Sequence, residues 1–328
     1  MQYTRLGTSD FRVSRLCLGT VFRSEPDEAT GIATIHAAAE HGCNFLDCAD
    51  FYGTGRSERI VGAAVRGQRD RFVVTTKVGS PMPDAPAGGL KRDYILRACE
   101  ASLRRLDTDY IDCYLCHFPD PDTPLDETLS AFERLVSQGK VRYPGVSNFS
   151  AAQVLESARI SRERGWVSYV CNQVGYSLLD RRIEEDLLPD IESAGIGVTA
   201  FATTAIGLLA GRYRYGRPPP AGTSWHRGPY NFRAAMTPAV GRVIDAVLDI
   251  ARRCGTTPTR VATAWCLRLP VVNAAIIGTD TPEQVRQNFR DADWELPADA
   301  AAELDRCSSG LSLAVRKDCP QGWTPDEP

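Results

Sequence analysis

The feature that most constrains this chain is an alternation. Short apolar, β-branched runs are followed, eight times over, by longer amphipathic stretches. The runs are RLCLG near residue 15, NFLD at 44, RFVVTTK at 71, YIDCYLCH at 110, VRYPGVS at 141, SYVCNQ at 168, GIGVTAF at 195 and NAAIIG at 273. Helical stretches begin near Asp27, Ser57, Arg92, Pro124, Ala151, Glu184, Thr259 and Thr281. Thr123 is a candidate N-cap before Pro124, with Glu127 on the first turn, and Gly42, Gly139 and Gly195 stand as helix stops. Near-continuous apolar strands must be covered on both faces, so they predict a parallel sheet with helices outside, and eight such units close into one (β/α)8 TIM barrel. A doubly wound sheet would announce itself with G-x-G-x-x-G after its first strand, and that fingerprint is absent.

The rest of the chain decorates that α/β barrel. YTRLG and FRVSR flank TSD and predict an N-terminal β-hairpin capping one end. An extra helix, Pro238 to Cys254, falls between the seventh strand and its partner helix. RYGRPPPAGTSWHRGPYNF is too rich in Pro and Gly for regular structure and predicts a long functional loop. The tail after about residue 308 reads as irregular, and a single domain spans 1–328.

Composition excludes several classes. A net charge of −3 gives no reason to expect nucleic acid or an anionic membrane as partner. No apolar run is long enough to span a bilayer, and the N-terminus lacks the basic-then-apolar form of a secretory signal, which predicts a cytoplasmic protein. The 11 cysteines are scattered, several within apolar runs (Cys113, Cys116, Cys171, Cys266), and predict free buried thiols. Cys113 and Cys116 form a C-x-x-C, but on a strand i and i+3 face opposite sides, and no second pair follows at metal-site spacing. No metal site is expected.

In such a barrel chemistry gathers at the C-terminal ends of the strands. Those ends carry Asp47, Lys77, His117, Ser147 with Asn148, Gln173, and Phe201. The stretch FLDCADFYGTGRSE, residues 45–58, adds Tyr52 where the chain turns after Asp47. A phenol is a poor acid near neutral pH, and a neighbouring ammonium favours its ionised form. Lys77 could so act on Tyr52, with Asp47 orienting the lysine and His117 donating to a carbonyl oxygen. Ser147, Asn148 and Gln173 suit a carboxamide, and Phe201 offers a flat face. Each also has a plain reading: Asp47 as a turn cap, Lys77 as a solvated strand end, His117 as a core histidine. Asp50 is expected to be a solvated turn residue.

At these residues the chain resembles the aldo-keto reductase superfamily. The likeness runs in order from YTRLGTSDFRVSRLCLGT through FLDCADFYGTGRSERIVGAAV, FVVTTKVG, YIDCYLCHFPDPDTPLDETLSAFERLVSQGKVRYPGVSNFS and NQVGYSLLDR to IIGTDTPEQVRQN. It implies a carbonyl reductase with a tetrad of Asp47, Tyr52, Lys77 and His117, Tyr52 being the general acid. It implies NADP(H) as cofactor, NAD(H) being possible. Asp47, Ser147, Asn148 and Gln173 would lie at the nicotinamide end, Gly19 and Thr20 beside it, and Phe201 against its face. Ala202, Thr203, Thr204, Gly207, Leu208 and Arg212 would follow the cofactor onward, and Gly278, Thr279, Gln284, Gln287 and Asn288 would lie along the adenosine. The chain departs from the family pattern at Ala202 (usually Ser), Gly175 (Glu), Gln287 (often Glu) and Phe201 (Tyr or Trp). Asp280 stands where relatives often carry a neutral or basic residue near the 2′-phosphate.

Two other classes compete. Potassium channel β-subunits share the fold and serve chiefly as partners, but carry Asn at the position of His117. A metal-dependent barrel enzyme would need convergent ligands at several strand ends, and only His117 and Asp47 qualify. The expected partner is a small carbonyl or alcohol substrate, with monomer or homo-oligomer left open. Substrate identity would depend on VGSPMPDAPAGG, the Pro-rich loop and the tail, where Trp225, Tyr230, Phe232 and Trp323 are candidate lining residues.

Overall fold

The computed structural model describes residues 1–313, apart from 84, 228 and 229. Trp323 and the tail beyond 313 lie outside them. Eight parallel strands close into a barrel in the order β10-β3-β4-β5-β6-β7-β8-β9. They are β3 (Leu16–Gly19), β4 (Phe45–Asp47), β5 (Val73–Val78), β6 (Ile111–Cys116), β7 (Val141–Ser147), β8 (Cys171–Gly175), β9 (Gly197–Phe201) and β10 (Val272–Gly278). Two strands precede them: β1 (Tyr3–Arg5) and β2 (Arg12–Ser14) pair antiparallel. Leu6 and Val13 of this hairpin are buried with Cys17, Phe45, Cys113, Cys171 and Ala274 inside the barrel, so the hairpin plugs one end. The close fit shows at Gly7, where φ is +51° and a Cβ would sit 1.9 Å from the Val170 carbonyl oxygen.

The outer layer holds α1 (Glu28–Glu40), α2 (Arg56–Val65), α3 (Arg92–Leu106), α4 (Leu125–Ser137) and α5 (Ala151–Arg164). Then come α6 (Ile183–Asp186), α7 (Leu188–Ser193), α8 (Ser224–Arg227), α9 (Phe232–Ala235), α10 (Pro238–Arg253), α11 (Pro258–Cys266), α12 (Pro282–Phe289) and α13 (Ala298–Ser308). The alternation read from the sequence is therefore the architecture. The extra helix is α10, and α13 packs beside it unforeseen. The sixth helical stretch is broken at Leu187, ahead of Pro189, into α6 and α7.

Two local expectations need correction, at Thr123 and in the Pro-rich loop. Thr123 does not cap α4: Pro124 holds the N-cap position, and the Thr123 hydroxyl donates instead to Asp120 Oδ2 at 2.7 Å. The Pro-rich loop is not wholly irregular, because α8 forms within it. Trp225 buries its ring there and donates its indole N–H to the Ile206 carbonyl at 3.1 Å, which holds the turn in place. Pro144 lies in an inner strand, β7, and its register explains why it is tolerated there. Its carbonyl accepts from Val170 N at 3.0 Å, so its missing N–H faces β8, where registered pairing begins only at Val146.

Ten cysteines are free among the described residues, eight of them buried. Cys113 faces the barrel interior and Cys116 the helices, as the strand period requires. Cys113 Sγ lies 3.8 Å from Cys171 Sγ inside the barrel, and both are free thiols.

Candidate active site

The two-residue period of the strands gathers the site. Phe45 and Val73 face the barrel interior, so Asp47 and Lys77, of the same parity, face it too. Lys77 is fully buried. Its Nζ donates to Asp47 Oδ1 at 2.8 Å and Oδ2 at 2.9 Å, to the Cys48 carbonyl at 2.7 Å, and to the Tyr52 phenol oxygen at 3.3 Å. Burial disfavours the ammonium, but the charge of Asp47 and the closeness of Tyr52 outweigh it and hold the Lys77 pKa above the ordinary lysine value. Tyr52 reaches this point from the loop after β4. Gly53, Thr54 and Gly55, with φ of 56°, 48° and 84°, wind the chain back from it into α2.

His117 follows β6 directly and is buried. Its backbone N–H bonds to the Val78 carbonyl at 2.8 Å. The imidazole stacks on Phe118 at 4.7 Å between centroids and meets the Tyr52 ring edge-on at 5.7 Å. Its Nδ1 lies 3.0 Å from Ser80 Oγ. That hydroxyl is buried; with Ser80 as the donor, the ring carries its proton on Nε2. Ser80 was not singled out from the sequence, because only folding brings the loop after β5 against the end of β6.

The mouth continues along β7 and β8. Gln173 Nε2 donates to Asp47 Oδ1 at 2.8 Å, which fixes the carboxylate from the far side of the barrel. Asn148, at φ +61°, donates to the His117 carbonyl at 3.1 Å and to Ser147 Oγ at 3.0 Å, and Ser147 Oγ donates to the Gln173 carbonyl at 2.9 Å. The amide oxygens of Gln173 and Asn148 accept no hydrogen bond among the described residues, which suits them to an amide N–H of a ligand. Thr20 is placed differently from a ligand contact. Its buried hydroxyl donates to the Asp47 carbonyl at 2.9 Å and lies 2.8 Å from Ser57 Oγ. A Cβ on Gly19 would sit 2.9 Å from Ile276 Cγ2, so β3 and β10 approach closely there.

The loop after β9 has the features of an anion cradle. Ala202, Ala205 and Ile206 take φ of 54°, 49° and 52°, left-handed values rare outside glycine, and Gly207 follows at 87°. The amides of Thr203, Thr204, Ile206 and Gly207 donate no hydrogen bond among the described residues. Arg212 is exposed nearby in sequence, whereas Leu208 is buried in the core. On the other rim Gly278 leaves open space, and the buried Thr279 hydroxyl has no partner among the described residues. Gln284 Oε1 accepts the Asp280 amide at 2.8 Å, and Gln287 is turned to Glu283. The Asp280 carboxylate accepts the Ser24 amide at 3.0 Å, so it ties the β3–α1 loop to this rim. Asn288 is half-buried, its carbonyl held by Arg260 at 2.9 Å. Orphaned amides, an orphaned hydroxyl and free amide oxygens around one mouth are the donor and acceptor set a dinucleotide needs.

Asp50 departs from expectation. It is buried, not solvated, with Oδ1 2.6 Å from the Phe51 amide. Burial, and then the charge of Glu58, push its pKa well above the carboxylate range. Among the candidate lining aromatics, Trp225 is a packing residue, while Tyr230 and Phe232 remain half-buried. Arg23 donates to the Tyr230 hydroxyl at 3.4 Å. No group of three or more metal-ligating side chains occurs among the described residues, and no described helix is long and apolar enough to cross a membrane.

A family model described as the aldo/keto reductase family matches residues 15–309. Bacillus subtilis (strain 168) has a similar protein, the uncharacterized oxidoreductase YrpG, 35% identical over 99% of each chain. A probable voltage-gated potassium channel subunit beta of Arabidopsis thaliana is 33% identical, covering 89% of this chain and 92% of its own. Among solved structures, the holo form of the aldo-keto reductase AKR11C1 from Bacillus halodurans superposes with a TM-score of 0.75. It is 31% identical and covers 94% of this chain and 96% of that one.

Proposed function

Because this chain belongs to the aldo/keto reductase family of oxidoreductases, we propose that it reduces the carbonyl of an aldehyde or ketone, with Tyr52 as the proton donor. NADP(H), or NAD(H), would supply the hydride. The amide oxygens of Asn148 and Gln173 would receive the carboxamide, Phe201 would lie along the ring, and the free amides after Ala202 would face the pyrophosphate. The observation that carries the reading is the chain of bonds from buried Asp47 through buried Lys77 to the half-buried Tyr52, beside His117. Tyr52 gives its proton to the carbonyl oxygen as negative charge grows there. Lys77, within reach of the phenol, stabilises the phenolate left behind, and Asp47 keeps the lysine charged and aimed. His117, protonated on Nε2, is a donor able to orient the same oxygen.

Tyr52→Phe keeps the ring and removes the proton. Reduction of 4-nitrobenzaldehyde should fall by about 10²–10⁴-fold with cofactor affinity unchanged; near-normal single-turnover reduction by this variant would remove Tyr52 from the role. Lys77→Met should also disable reduction and change the pH–rate profile.

The likeness to the plant channel β-subunits supports a second reading, in which the chain binds the dinucleotide and serves a partner. Turnover distinguishes the two: no reduction across a panel of aldehydes and ketones, with the cofactor bound, would favour the partner role.

A further inference from the structure

A buried charged cluster lies directly behind the tetrad. Glu58 stands in the first turn of α2 and is fully buried. Its Oε1 accepts the Thr76 hydroxyl at 2.7 Å, and its Oε2 accepts Arg105 Nε of α3 at 2.5 Å. Thr76 precedes Lys77 on β5, and its side chain points outward where that of Lys77 points inward. The neighbouring Ser57 meets the Thr20 hydroxyl that is bonded to the Asp47 carbonyl. The segment that carries Tyr52 is therefore pinned at its start by β4 and at its end by two adjacent side chains. Ser57 meets Thr20, which is bonded to the Asp47 carbonyl, and Glu58 grips Thr76 on the strand of Lys77.

We propose that Glu58 is a positioning residue for the reduction. By fastening α2 to β5 one residue from Lys77, it sets the separation of the Tyr52 phenol and the Lys77 ammonium. The proposal rests on the reading of Tyr52 as proton donor. Arg105 supplies the counter-charge that lets a carboxylate serve as the buried clamp. Facing the same cluster are Asp50, Lys77 and Cys48. Burial, and then the charge of Glu58, raise the pKa of Asp50, while Arg105 makes its direct ion pair with Glu58. Without the clamp, the turn of three successive left-handed residues after Tyr52 is held to β5 only from its start, through the bonds of Lys77 to the Cys48 carbonyl and the Tyr52 phenol.

The test uses the full chain with its dinucleotide and 4-nitrobenzaldehyde. Thr76→Val removes one contact of the clamp, and Glu58→Gln sets an amide against Arg105. Displacing a reacting group by about 1 Å costs up to about 10²-fold, so both variants should lose roughly tenfold or more in single-turnover rate. The loss should fall on kcat with little change in KM, and the pH profile of the rate should move. Combining the two should lose little more than Glu58→Gln alone, because both act through one contact. Glu58→Gln alone could fail to fold, and Thr76→Val then decides. A folded Thr76→Val with the wild-type rate and pH profile overturns the proposal. Tyr52→Phe is measured alongside: if it keeps the rate, the acid assignment fails and the proposal with it; if it loses the rate while Thr76→Val does not, only the positioning role fails.

Discussion

At the scale of single residues, burial decides which plain readings survive. Lys77 was open to reading as a solvated strand end and is fully enclosed by Asp47, Cys48 and Tyr52. Asp50 shows the opposite surprise, and its raised pKa has a sign that can be checked. The folded state keeps a proton that the unfolded state releases above about pH 4, so Asp50 lowers stability as pH rises from there toward its folded pKa. Asp50→Asn retains the acceptor for the Phe51 amide and has no proton to lose. Thermal unfolding should show the variant gaining on wild type as pH rises above the ordinary carboxylate range of about 4; a difference that stays constant with pH would mean that the Asp50 pKa is not raised on folding. Ser80 makes a second residue-scale prediction. Ser80→Ala removes the donor to His117 Nδ1, and nitrogen NMR should show the Nε2–H tautomer losing its dominance. A net hydrogen bond of about 1 kcal/mol corresponds to about a fivefold fall in rate.

At the scale of elements, the parity of the strands places polar ends inward, and close backbone approaches fix how the helices sit on them. The contact of α2 with α3 is the tightest near the site. A Cβ on Gly62 would lie 2.4 Å from the Leu106 carbonyl oxygen and 2.6 Å from its carbon. Backbone cannot yield there as a flexible side chain would. Gly62→Ala should therefore push α2 away and destabilise the fold by about 1–3 kcal/mol in denaturant unfolding. Because α2 carries Glu58, the same variant should slow reduction; full stability would show that the two helices can slide apart at no cost. The hydrophobic period read from the chain located α2 and α3 but carried no information about their distance.

At the scale of the whole molecule, the proposed dinucleotide would act as a stabilising ligand. A ligand at 100 times its Kd adds about 2.7 kcal/mol to the stability of the form that binds it, so the ranking of cofactors can be read from Tm. Asp280 is the residue to vary. Its carboxylate holds the Ser24 amide, and no Lys or Arg lies in IIGTDTPEQ to offset its charge. Like charges at ~6 Å repel by roughly 3 kcal/mol at an effective dielectric near 20, before salt reduces it. Asp280→Asn keeps an acceptor for Ser24 and loses only the charge. It should raise the Tm gained from NADPH while leaving that from NADH nearly constant. Equal changes for both would show that Asp280 does not face the 2′-phosphate.

What repeats locally is legible in the chain alone. Eight apolar runs with helical partners specified a barrel, and their alternate residues specified which side chains enter it: Asp47, Lys77, Ser147 and Gln173 share the inward parity that their positions allow one to count. The contacts that join distant segments are not legible there. Gln173 meets Asp47 across 126 residues, Arg105 meets Glu58 across 47, and Ser24 meets Asp280 across 256. The physical reason lies in what each effect depends on. Strand and helix periods follow from backbone geometry within a few residues. The state of Asp50, the tautomer of His117 and the grip of Glu58 depend instead on separation in space and on the exclusion of water, and both exist only once the barrel has closed.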